Sequence, residues 1–148
     1  MTGGTPKAPQ VGVGGVVIRD GKVLLIRRGK EPLRGRWLIP GGTVELGETL
    51  SEALVREMLE ETALRVRPLE IVAVFDRIER NDREVLYHYV IVDYLCAWEE
   101  GEARAGSDAA QVAWAAPSEL ADFDVPLRAV EVIRDSFARW LDRERAAG

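Results

Sequence analysis

Two kinds of periodicity alternate along the chain. Short apolar blocks at 11–19 (VGVGGVVIR) and 22–28 (KVLLIRR) flank Asp20-Gly21, a pair that favours a tight turn, so a β-hairpin is predicted. Gly12, Gly14 and Gly15 weaken the first strand and mark a bulge or the close approach of another backbone or a ligand. A short strand at 37–40 (WLIP) delivers the chain into Gly41-Gly42. The period then lengthens. Thr49 followed by Glu52 is a capping box and predicts a helix from 49 or 50 to about 62. Leu54, Val55, Met58 and Leu59 gather on one arc of it, while Glu57, Glu60 and Glu61 share a neighbouring third of the circumference. Strands return at 66–78 and 86–98, paired antiparallel across the charged turn 79–85 and placed to wall a ligand cleft. After a loop at 99–110 come a strand at 111–115, a helical turn at 117–120 and a last helix at 128–145. That helix carries Val130, Ile133, Phe137, Ala138 and Leu141 at helical spacing and is expected to cover the sheet. Residues 1–10 have no periodicity and read as a flexible tail, leaving 11–148 as a single domain. Periodicity alone gives an α/β or α+β class.

Composition narrows the function classes. With 47% hydrophobic and 30% charged residues in 148, the chain has the composition of one ordinary water-soluble domain. No stretch is long and apolar enough to span a membrane, and the N-terminus has no signal-like apolar run, so a cytoplasmic location is expected. The single cysteine, Cys96, cannot form an internal disulfide and is expected to be a buried small hydrophobe. A net charge of -5 disfavours binding to nucleic acid polymers, yet a small phosphorylated ligand can still be held by a local basic patch and a metal.

The acid arc of the first helix carries the candidate chemistry. Like charges at i,i+3 and i,i+4 repel by a few tenths of a kcal/mol when exposed, but by roughly 3 kcal/mol per pair near 5 Å at an effective dielectric of about 20. Arg56 alone cannot neutralise the surrounding carboxylates, so a divalent cation is implied. Oxygen ligands, with no cluster of Cys or His, point to Mg²⁺ or Mn²⁺.

Gly42, Glu48, Arg56, Glu57, Met58, Glu60, Glu61 and Leu64 fall at the spacings of the Nudix box, G-x5-E-x7-R-E-U-x-E-E-x-G-U, with Ala63 in place of its last glycine. On these residues the chain resembles the Nudix hydrolases, in particular their small ADP-ribose pyrophosphatase-like branch. The resemblance implies an α/β/α sandwich with a mixed central sheet and a metal-dependent hydrolase acting on a nucleoside diphosphate linked to a further moiety, X. It implies that Glu57, Glu60 and Glu61, with a Gly41 or Gly42 carbonyl, hold Mg²⁺ or Mn²⁺, and that Arg56 pairs with the box acids, notably Glu48. The general base is left open between Glu60, Glu57 and an acid outside the box such as Asp108, with Glu99, Glu100 and Glu102 as rivals.

Family members with an Arg pair ending the second strand place a phosphate-contacting arginine where Arg28 stands. The other basic residues of that loop, Lys30, Arg34 and Arg36, are solvated or ligand-facing. Trp37 either stacks on a base or packs in the core. Asp76, Arg77 and Tyr87 are candidate ligand contacts, and His88 reads as a packed or solvent-facing strand residue. Ala63 either adopts a left-handed conformation at a cost of about 1 kcal/mol or diverts the helix exit. Expected partners are a small nucleotide substrate and, for assembly, a monomer or homodimer. ADP-ribose or another NDP-sugar is the favoured substrate; a MutT-like (d)NTP pyrophosphohydrolase, acting also on oxidised nucleotides, is the alternative, and a non-catalytic nucleotide-binding domain the third reading.

Overall fold

The computed structural model describes residues 7–31, 33–106 and 108–148; most of the tail at 1–10 lies outside them. Among the described residues seven strands and two helices follow in the order β1 (Gln10–Arg19), β2 (Lys22–Arg28), β3 (Trp37–Leu38), β4 (Gly41–Thr43), α1 (Leu50–Thr62), β5 (Arg65–Arg80), β6 (Val85–Glu100), β7 (Ala109–Ala115) and α2 (Leu127–Ala147), with a 3₁₀ turn at Pro117–Glu119. The long strands extend a residue or two beyond their predicted ends, and the Gly41-Gly42 turn is itself a short strand.

β1 is the hub. It runs parallel to β6 from Gln10↔Tyr89 to Val17↔Cys96, antiparallel to β4 through Gly14↔Gly41, and antiparallel to β2 at its far end. β5 pairs antiparallel with β6, and β2 pairs with both β3 and β7. The sheet is therefore mixed.

Strand alternation sends β1 side chains to two cores. Val13 and Val17 pack with Leu54 and Met58 of α1, and with Val92, Tyr94 and Cys96. Val16 and Ile18 pack with Leu25, Leu95 and the Ala129, Val132 and Ile133 face of α2. One helix on each face makes an α/β/α sandwich, as the motif implied. Cys96 is buried and unpaired, as expected.

The helical stripes differ in detail from those read in the sequence. Leu59 is exposed, and Glu61 takes a buried position on α1. On α2, Leu141 and Ala138 face outward while Ala129, Val132, Ile133 and Ser136 form the buried stripe. Ser136 fits there because its hydroxyl donates to the Val132 carbonyl at 2.7 Å. No described helix is long and apolar enough to cross a membrane.

Candidate active site

The capping box fixes where α1 begins. Glu52 N–H donates to Thr49 Oγ1 at 3.1 Å, and Thr49 N–H to Glu52 Oε1 at 2.9 Å. From that start the helix presents its acids to three environments. Glu61 is 3% exposed, the Glu57 side chain is mostly covered, and the Glu60 side chain is 47% exposed.

Arg56 organises the loop before the helix. Its Nε and Nη2 reach Glu48 Oε2 and Oε1 at 2.7 and 2.8 Å, a two-pronged pairing, and Nη2 also donates to the Thr43 carbonyl at 3.1 Å. Its Nη1 donates to Glu57 Oε1 at 2.9 Å and to Glu60 Oε2 at 3.3 Å. These hydrogen bonds hold the Glu48 carboxyl down at about 2. Glu48 is thus a clamp on the loop.

Glu57 and Glu61 occupy the opposite electrostatic situation. Burial is the main cause that pushes Glu57 upward, against Arg56, and burial pushes Glu61 up to about 7, with the neighbouring charges of Glu57 and Asp108 adding to it. Gly41 N–H donates to Glu61 Oε1 at 2.8 Å, joining β4 to the helix. A methyl on Gly42 would take the space of the Glu57 carboxyl, so the glycine is what lets that acid lie against β4.

Both acids line a cleft of about 680 Å³. Asp108 lies on its wall, with Lys30 Nζ 2.8 Å from its Oδ1. Arg28 lines it too, and its charge favours the ionised form of Glu61. Gly41, Gly42, Arg77 and Tyr87 complete the predicted residues that reach it. The rivals of Asp108 point elsewhere: Glu99 pairs with Arg67, Glu100 with Arg65 and Glu102 with Arg19.

Five predicted site residues stand outside the cleft lining: Arg56 and Glu48, which clamp the loop before the helix, and Trp37, Asp76 and Glu60. Trp37 packs edge-on against Phe123, ring centres 5.1 Å apart, because alternation in β3 gives the cleft side to Leu38. Asp76 falls on the other face of β5 from Phe75 and Arg77, where its Oδ1 lies 3.1 Å from His88 Nε2. Glu60 stays at the solvent edge of the helix, held by Arg56. Sequence reading missed Phe75, Arg128, Tyr89 and Asp93, all of which line the cleft. Arg128 lies over the Phe75 ring, 4.8 Å from its centre, a contact between α2 and β5 that no local pattern encodes. Asp93 had a signal: it is the one acid in the apolar run 86–98.

Among the described residues no three Asp, Glu, His or Cys side chains form a ready metal cage. The donor set nevertheless fits a hard divalent ion. Mg²⁺ is bound through one or two carboxylates, with water, carbonyl and substrate phosphate oxygens completing its shell, and two buried carboxylates whose charge burial disfavours are such a pair. The residues that would hold it are Glu57, Glu61 and the Gly41 carbonyl, with Glu60 at the rim.

The site thus combines a helix-borne acid pair, a glycine strand beside it and a cleft. Residues 8–141 match the model of the NUDIX domain, and the chain belongs to the NUDIX family, whose hydrolases are pyrophosphatases that generally need divalent metal ions. It is 39% identical over 101 residues to a Methanocaldococcus jannaschii protein named ADP-ribose pyrophosphatase, a match covering 68% of this chain and 58% of that one. It is 38% identical over 117 residues to a Mycobacterium tuberculosis protein provisionally named as an 8-oxo-dGTP diphosphatase, covering 78% and 79%. Among solved structures it resembles a MutT NUDIX hydrolase from Burkholderia pseudomallei with a TM-score of 0.76 at 29% identity, covering 87% of this chain and 98% of that one.

Proposed function

We propose that this chain hydrolyses the pyrophosphate linkage of a nucleoside diphosphate derivative, of ADP-ribose or NDP-sugar type. The observation that carries the reading is the make-up of the cleft. It brings Glu57, Glu61, Gly41 and Arg28, which suit a metal-bound diphosphate, together with Phe75, Arg77, Tyr89 and Arg128, rings and guanidinium groups that suit a nucleoside and a second, polar moiety. The 39% identity to the archaeal relative supports the ADP-ribose choice.

A bound Mg²⁺ or Mn²⁺ would neutralise charge on the non-bridging phosphate oxygens and acidify an attacking water. Glu57 and Glu61 supply the carboxylates, and Gly41 N–H fixes the rotamer of Glu61. Arg56 keeps Glu48 and Thr43 in register so that the loop holds Glu57 in place. Arg28 faces the phosphates as a fixed positive charge. Water adds to one phosphorus, the bridging P–O bond breaks with the bridging oxygen leaving on the other phosphate, and the water's proton passes to a cleft carboxylate; Asp108 and Glu57, both in the lining, are the acids that support this role.

The second reading is a MutT-like (d)NTP pyrophosphohydrolase acting also on oxidised nucleotides, favoured by the mycobacterial relative, whose match covers most of both chains. Product analysis separates the two. ADP-ribose cleavage yields AMP and ribose 5-phosphate, whereas a dNTP yields a dNMP and pyrophosphate. We expect one class to be turned over with Mg²⁺ or Mn²⁺ and to stop with EDTA. Thermal stabilisation by a nucleotide with no turnover under either metal would instead mark a non-catalytic binding domain.

A further inference from the structure

Asp93 has no part in the chemistry just described, and its setting is costly. It is 4% exposed at the middle of β6, yet it lines the cleft. The influences on its carboxyl are burial and the charge of Arg77, and no hydrogen bond is among them. Burial pushes the group up to about 6, against the charge of Arg77. Among the described residues no fully buried side-chain oxygen lacks a partner, so this carboxyl opens onto the cleft, where a ligand can supply the hydrogen bonds that the protein does not.

The neighbours make room for that use. Asp93 pairs across the parallel ladder with Gly14, and a methyl at Gly14 would collide with Asp93 Oδ1 and sit 3.2 Å from Ile39 Cδ1. Gly12, two residues earlier on the same face, also presents no side chain. β1 therefore carries no side chain of its own beside the carboxyl, where the tips of Ile91 and Ile39 flank Gly12 and Gly14, with Phe75 and Arg77 on the strand beyond β6. Gly14 pairs in turn with Gly41. Asp93 thus lies two strands, roughly 9.5 Å, from the glycine beside the metal-holding acids. One bound molecule can reach from one to the other.

We propose that Asp93 is the residue by which the cleft selects its substrate, its carboxyl receiving polar hydrogens of the nucleoside laid over the Gly12–Gly14 strip. The donors are the N–H groups of a purine base, or failing that the O–H groups of a ribose. This rests on the hydrolase reading of the cleft, which places the diphosphate at Gly41 and the nucleoside beyond it. The role is recognition: Asp93 binds the part of the ligand that does not react.

The test is Asp93→Asn, which keeps the shape and turns one acceptor into a donor, with Asp93→Ala as a second variant. Both are compared with the wild type on ADP-ribose, its inosine counterpart lacking the base amine, its 2′-deoxyadenosine counterpart, and the dGTP/dITP pair. Expected is a fall in kcat/KM of roughly 10- to 100-fold, carried by KM, on the preferred substrate. The fall shrinks to near unity on the analogue that lacks the donor, and which analogue that is identifies base or sugar. Melting temperature stays level or rises. An equal fall on every substrate, or no change on any, overturns the proposal. If the wild type turns over none of them, the hydrolase reading fails on its own, and nucleotide-induced thermal shifts still decide Asp93: the proposal requires a smaller shift in Asp93→Asn, and equal shifts reject it.

Discussion

The Gly41 backbone N–H and Glu61 Oε1 meet at 2.8 Å, twenty residues apart in sequence. The bond fixes one oxygen of a carboxyl that is buried and lines the cleft. Glu61→Gln keeps an acceptor for that N–H and removes the buried charge, so turnover is expected to fall on the order of 100-fold while the fold holds. Glu57→Gln should fall comparably, and Glu60→Gln less, because Glu60 is half-exposed at the rim. The pH dependence has a definite sign. Burial raises Glu61 from its ordinary 4.5 to about 7 in the fold, so the folded, metal-free protein binds the extra proton between those values. Its contribution is fully present below about 4.5 and is lost as pH rises through 7, by on the order of 3 kcal/mol. Thermal melts in EDTA should therefore show Glu61→Gln gaining on the wild type across that window. A constant difference from pH 4.5 to 8 would reject the account.

Arg56 makes a forked contact with Glu48 that a lysine cannot copy. Arg56→Lys is expected to lower the melting temperature by roughly 2–6 °C and turnover about 10-fold, because the loop bearing Thr43 and Glu48 loses its register with Glu57. Glu48 titrates at about 2 in the fold, so the pairing stabilises the protein above about 4.5 and is lost as pH falls through 2. The difference between variant and wild type should be flat above pH 5 and close towards pH 2. A difference that grows on acidification would sink this reading.

Gly41 and Gly42 are adjacent but serve different ends. A methyl at Gly41 would strike the Val13 carbonyl oxygen and lie 2.8 Å from Gly14 Cα, atoms of a central strand that cannot yield. At Gly42 the obstacle is the end of the Glu57 side chain, which can swing away. Gly41→Ala should therefore lower stability, measured by denaturant midpoint, more than any other substitution named here. Gly42→Ala should leave the midpoint nearly unchanged and lose activity to the same degree as Glu57→Gln. Full activity in Gly42→Ala would mean that Glu57 is not held where the cleft needs it.

How much of this was legible in the sequence follows from which interactions are local. Thr49 and Glu52 set the start of α1, Asp20-Gly21 the first hairpin, and the box spacing the Arg56–Glu48 pairing, since each is decided within a few residues or one motif. Asp76 lies off the cleft lining because strand alternation leaves a choice of face, and only the β5–β6 register with Phe75 and Arg77 on the cleft side resolves it. Trp37 was open for the same reason until Phe123, far along the chain, closed over it. Arg128 reaches Phe75 across about fifty residues, and no helical pattern announces such a contact. Glu61 looked like one of three equivalent acids, and burial in the fold separated them.

Ala63 stands at φ 64, ψ 11, the left-handed conformation that glycine adopts without cost, and its N–H still closes the helix onto the Leu59 carbonyl at 3.0 Å. The terminal carbonyls of α1 are held by the loop between β6 and β7 as well: Arg104 N–H donates to Thr62 O and Gly106 N–H to Glu61 O, each at 3.0 Å. That support lets an alanine remain where it costs about 1 kcal/mol. Ala63→Gly removes the strain but adds chain entropy to the unfolded state, about 0.4–1 kcal/mol in opposition. The net is expected to be a melting temperature raised by roughly 1–2 °C with kcat unchanged, since no cleft group moves. The same loop carries the chain on to Asp108 on the cleft wall, which makes the outcome informative about the site. If Ala63→Gly were instead to lower kcat at unchanged stability, the strained residue would be setting the position of Glu61 or Asp108, and the helix end would belong to the active site.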